Sequence, residues 1–173
     1  MNTNESKELA KYILDNLNLK PGFDIAKLIK EFGGEIERTY QSHDIGCYVV
    51  KENRGFKMYL NSTYNERKQR FLIASQLGHL VMHMYYLDDY VWQNIKNLDS
   101  RVYRFGHDQQ ELEANEFASE FLMPEKEFKE MTVKFAKENY DGLIVNLSNY
   151  FKVSEKAILY RGHNLKLWVK NNY

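Results

Sequence analysis

The sequence predicts an α+β protein: a helical core, a small antiparallel β-sheet beside a long helix, and a compact helical C-terminal region. Three observations carry this expectation. Apolar residues recur at helical spacing over most of the chain. In one short stretch the period changes to two, with Phe56, Met58 and Leu60 alternating with Lys57 and Tyr59. The 173 residues contain only two prolines and no low-complexity linker, and at 43% hydrophobic and 28% charged they can bury a core without staples.

The elements follow in order. Leu9, Ile13 and Leu17 place a helix over Lys7 to Leu17, and Pro21-Gly22 breaks it. A second helix runs from Asp24 to Phe32, with Ile25, Leu28 and Ile29 inward and Gly33-Gly34 ending it. Cys47 to Val50 reads as a strand partnering Phe56 to Leu60, with Asn53-Arg54-Gly55 as the turn, and Glu35 to Tyr40 adds a third strand. Thr63-Tyr64-Asn65-Glu66 has capping-box spacing and opens a long helix to about Tyr86. Asp88 to Asp108, rich in charge and aromatic rings, reads as a loop. A further helix spans Gln110 to Leu122 and stops at Met123-Pro124. Pro124 suits the first turn of the next helix, which carries Phe128, Met131 and Phe135. Leu143 to Phe151, then Ser154 as N-cap of Glu155 to Arg161, make a helical pair. Such a pair resembles a helix-turn-helix unit, but its second helix offers only Lys156 and Arg161 to DNA, so a hairpin packed on the core is the better reading. The division expected is residues 1–140 for the main domain and 141–173 for this helical region.

The 24 basic and 24 acidic side chains cancel, which argues against dependence on a broad basic surface for nucleic acid. Cys47 is the only cysteine, so neither an intrachain disulfide nor a Cys-rich zinc cluster is available. The expectation is a cytoplasmic protein with no membrane partner, because neither a signal peptide nor a spanning apolar run is visible.

The chemistry concentrates on the long helix. In H-E-x-x-H two imidazoles one turn apart hold zinc, the Glu takes a proton from metal-bound water, and a second helix supplies another ligand. Here the helix reads Arg70-Phe71-Leu72-Ile73-Ala74-Ser75-Gln76-Leu77-Gly78-His79-Leu80-Val81-Met82-His83. It resembles the R-F-x-x-A-H-E-x-G-H-x-x-x-H signature of the ImmA/IrrE metallopeptidases. The later Glu113-Ala114-Asn115-Glu116-Phe117-Ala118, continuing through Leu122-Met123-Pro124, resembles that family's E-A-N-x-F-A-x-x-x-L-M-P signature. Tyr59-Leu60-Asn61 before the long helix and Phe151-Lys152-Val153-Ser154 near the end also match its layout, so the resemblance spans nearly the whole chain.

The resemblance implies a zincin-like helical core and a family cofactor, zinc. It puts Ser75 at the first His ligand, Gln76 at the general base, His79 at the second His, and Glu113 at the carboxylate ligand, with Glu111 a less favoured substitute. A neutral amide cannot take a proton from water, and a serine hydroxyl is a poor, short zinc ligand. Zinc is therefore expected to be absent or weakly held. Three other readings of these residues are weaker. His79 and His83, spaced i and i+4, would make a displaced site with Glu113 or His107, but still without an adjacent Glu. Ser75 lies one turn from His79, yet a mid-helix serine lacks the oriented base and oxyanion hole of a nucleophile. His43 and His163 are isolated and suit surface or packing roles. Ser75 and Gln76 are read as natural; a Glu→Gln change made to disable an enzyme would account for Gln76 but not for Ser75.

Members of the family cleave helix-turn-helix repressors that control prophages, mobile elements or stress genes. The expectation is a pseudoenzyme that binds such a repressor with little or no proteolysis. An active zinc metallopeptidase, through the displaced site or as the parent of a disabled variant, is one alternative; a DNA-binding regulator is another.

Overall fold

The computed structural model describes residues 2–40, 46–103 and 108–168. His43 and His107 lie outside the described residues. The chain runs α1 (Thr3–Asn16), α2 (Ile25–Glu31), β1 (Gly34–Thr39), β2 (Cys47–Glu52), β3 (Gly55–Asn61), α3 (Glu66–Met82), α4 (Asp89–Asn94), a 3-10 turn (Ser100–Tyr103), α5 (Asp108–Leu122), α6 (Glu125–Glu138), α7 (Leu143–Phe151) and α8 (Glu155–Asn164). This is the α+β class expected from the sequence, with a small sheet and a helical C-terminal region. Among the described residues no helix is long and apolar enough to cross a membrane.

The sheet is mixed rather than wholly antiparallel. Its order is β1-β3-β2, with β3 antiparallel to β2 and parallel to β1. The hairpin fixes the first relation: Asn53 adopts φ 51, which Asn tolerates, and brings Glu52 opposite Gly55. β3 therefore lies between its hairpin partner and β1, and β1 runs beside it in the same direction. Gly34 and Gly55 are required at this edge. A Cβ on Gly34 would meet the Phe56 ring at 2.3 Å, and one on Gly55 would meet the Gly33 carbonyl at 2.3 Å.

Several local expectations change. The cap of α3 is Asn65, whose Oδ1 accepts from the Lys68 N–H at 2.9 Å. Thr63 is not the cap; its N–H and hydroxyl both donate to Asn61 Oδ1, at 2.9 and 2.7 Å, in an Asx turn that ends β3. The helix also stops at Met82, with His83 as its C-cap and Tyr85 at φ 59, short of Tyr86. The segment read as a loop from Asp88 to Asp108 contains α4 and the 3-10 turn. Asp88 caps α4 through the Val91 N–H, and buried Trp92 donates its indole N–H to the Arg54 carbonyl. Short elements anchored by one buried ring carry too few periodic residues to stand out in sequence. Pro124 sits at the N-cap of α6, one residue before the first turn.

A continuous core joins these pieces. Ala10, Ile13 and Leu14 of α1 pack with Phe117 and Phe121 of α5, while Leu147, Phe151, Val153 and Ile158 bring α7 and α8 into the same cluster. Lys152 takes φ 53 between α7 and α8, and Ser154 caps α8 by accepting from Ala157 N–H. Arg161, a cation the sequence would offer to DNA, is fully buried. Its guanidinium pairs with Glu120 and donates to the Met123 carbonyl, tying α8 to the end of α5.

Candidate functional site

α3 and α5 lie against each other because Gly78 lets them. A Cβ there would come within 3.1 Å of the Phe117 ring and 3.3 Å of the Ala114 backbone. That close approach sets His79, the residue after Gly78, and Glu113, the residue before Ala114, at the interface. Ser75, Gln76 and His79 are all buried on α3, as is Glu113 on α5.

The four ionisable groups form a chain of contacts. His79 Nε2 lies 3.2 Å from Glu111 Oε2, the two Nδ1 atoms of His79 and His83 lie 3.1 Å apart, and His83 Nε2 lies 3.0 Å from Glu113 Oε2. Glu113 therefore meets His83, one turn beyond His79, while Glu111 meets His79. Gln109 Nε2 donates to Glu113 Oε1 at 3.0 Å. Burial pushes the His83 imidazole below its ordinary pKa, against the opposing pull of Glu113. Burial alone would raise the Glu113 carboxyl, but hydrogen bonds from Gln109 and His83 outweigh it and leave the pKa lowered.

Ser75 and Gln76 face other partners. The Ser75 hydroxyl lies 3.4 Å from Asn115 Oδ1, and Asn115 Nδ2 lies 3.4 Å from Glu111 Oε1. The serine is thus turned toward α5 rather than toward His79, and a Ser75–His79 nucleophile pair is not formed. Gln76 Oε1 accepts from the Ser100 hydroxyl at 2.7 Å, and Ser100 Oγ in turn accepts from the Val49 N–H at 2.9 Å. Gln76 Nε2 is buried without a partner among the described residues. Ser100 gave no signal in the sequence: a lone serine in a polar stretch has no period and no motif. Asn115 stands in the sequence as part of the E-A-N signature, but its contacts with Ser75 and Glu111 are not legible there; Gln109 lies just outside the expected helix Gln110 to Leu122, so its i−4 relation to Glu113 is not legible either.

Zinc, which the resemblance implies, asks for three protein ligands converging on one point. Among the described residues no group of three or more His, Cys, Asp or Glu side chains is arranged to hold a metal ion. The donors present do not fit that set. The two imidazoles are each engaged with a different carboxylate, and positions 75 and 76 present a neutral hydroxyl and a neutral amide. The displaced alternative built on His79, His83 and Glu113 fares no better as arranged, since His79 and His83 turn their Nδ1 atoms to each other and their Nε2 atoms to separate partners. His163 is exposed on α8, away from this cluster in the chain.

The chain matches a protein-family model. The model of the IrrE N-terminal-like domain, peptidase family M78, covers residues 52–163, from the β2–β3 hairpin to the last turn of α8. No curated protein matches the chain. With well over half its length matched, and with both helices that carry the signature-like segments inside the match, the chain belongs to the ImmA/IrrE family of metallopeptidase-like proteins.

Proposed function

We propose that this chain is a degenerate member of its family, a regulator that binds a helix-turn-helix repressor of a prophage, mobile element or stress response with little or no proteolysis. One observation carries the reading. At the positions where the family places its first zinc ligand and its general base, this chain has Ser75 and Gln76, and both are engaged in neutral hydrogen bonds to Asn115 and Ser100. An amide in that place takes no proton from water, and general-base catalysis is typically worth about 10²–10⁴-fold. Loss of a metal ligand adds to that cost. What remains is the scaffold on which the family meets its protein partners.

The test uses the full chain and any helix-turn-helix repressor encoded beside its gene. Pull-down is expected to show association, and mass spectrometry is expected to show the repressor intact after prolonged incubation with added zinc. A clean site-specific cut would overturn the pseudoenzyme reading; no association would overturn the regulatory one.

A further inference from the structure

The outer edge of the sheet next to Gln76 is covered by the chain itself. β2 is an edge strand, bonded to β3 on one side only. On its other side the segment Leu98–Ser100 runs antiparallel to it. Val50 bridges Asp99, Lys51 N–H donates to the Leu98 carbonyl at 2.9 Å, and Val49 N–H donates to the Ser100 hydroxyl at 2.9 Å. Ser100 is fully buried and Leu98, partly buried, packs against the core, while Asp99, also partly buried, pairs with Arg101. Arg101 in turn lies over the Tyr48 ring, 4.3 Å from its centroid.

An exposed strand edge is a template for an extended peptide, which binds through its backbone and is selected by pockets for alternate side chains. The short strap 98–100 already makes those contacts. It is bound at one point that an ordinary sheet edge would lack, because Ser100 also donates to Gln76 Oε1 in the buried site.

We propose that Leu98–Ser100 is an internal stand-in for an extended peptide at the outer edge of β2, latched in place by Gln76 through Ser100. The partner it stands in for has an apolar residue, a small hydroxyl residue two positions later, and a basic residue after that to sit on Tyr48. The strap keeps the edge closed, and such a segment enters by displacing it. The proposal does not need the repressor reading, because its probe comes from the chain itself.

The probe is a fluorescent synthetic peptide with the sequence of residues 95–103. The full chain is compared with Ser100→Ala, which removes both hydrogen bonds of the latch, and with a Val50→Cys/Asp99→Cys variant, in which a cross-strand disulfide locks the strap. Ser100→Ala should bind the peptide about tenfold more tightly or better, and its Lys51 amide should exchange faster with deuterium by a similar factor. The double-cysteine protein should bind the peptide when reduced and lose it when oxidised, whether or not Ser100→Ala folds well. Peptide binding that is indifferent to oxidation of the lock, or absent from the reduced form, overturns the proposal. So does a folded Ser100→Ala protein with neither gain. A repressor that fails to associate would sink the regulatory reading and leave this one standing.

Discussion

Gln76 is the residue on which most of the account turns. It is buried, its carbonyl oxygen holds Ser100, and its amide nitrogen has no partner among the described residues. Restoring the family's glutamate here, alone, is expected to harm the protein rather than revive it. In Gln76→Glu a carboxylate replaces a neutral amide whose side-chain partner is the Ser100 hydroxyl, with no cation paired to it among the described residues, and burial is expected to raise its pKa above the free value of about 4.3. A group whose folded pKa is raised is bound to a proton more readily in the native state, so the cost is absent below the unfolded pKa and grows as pH rises through the folded one. Urea unfolding should show a loss of at least about 2 kcal/mol at neutral pH, narrowing toward zero near pH 4. Equal stability of the two proteins at neutral pH would show that the site already supplies a counter-charge.

At the scale of elements, the close packing of α3 on α5 is what brings the His and Glu side chains together. Gly78 is its hinge point, with Phe117 and the Ala114 backbone within 3.3 Å of an added Cβ. Gly78→Val should wedge the helices apart at a cost of about 1–3 kcal/mol, read by denaturant unfolding, and should break the His83–Glu113 contact, read by the NMR shifts of the two imidazoles. Retention of both stability and shifts would mean that the helices are held elsewhere. These two helices were legible in sequence because their periodicity is long and their motifs sit on it. The third strand was legible too, but its direction was not: alternation reports a strand and says nothing of parallel or antiparallel neighbours. α4 and the 3-10 turn were missed because a six-residue helix anchored by Trp92 has almost no period to detect. The cap of α3 was misplaced because Thr63 and Asn65 both precede Glu66 with plausible spacing, and only the turn made by Asn61 decides between them. Arg161 read as a surface cation because burial of a charge depends on a partner, Glu120, forty-one residues away.

At the scale of the whole molecule, the chain belongs to the family and, in the reading proposed, fills the family's chemical centre with other contacts. The sequence named the positions 75, 76, 79, 83 and 113; the structure places Ser75, His79, His83 and Glu113 where α3 and its C-cap meet α5, while Gln76 turns to Ser100 beside β2. What it did not name is how they pair, because i and i+4 spacing allows Glu113 to meet either His79 or His83. That ambiguity makes repair informative. Ser75→His with Gln76→Glu should rebuild a zinc site with His79 and Glu113, after His79 and Glu113 exchange their present partners. Chelator-sensitive peptidase activity is expected from the pair of changes, and from neither alone. The most direct measurement is zinc content by elemental analysis of the folded protein, purified without chelators or added metal and dialysed. The unaltered chain should retain almost none, and the double variant about one zinc per chain. One zinc per chain held by the unaltered protein through dialysis would contradict the account at its centre.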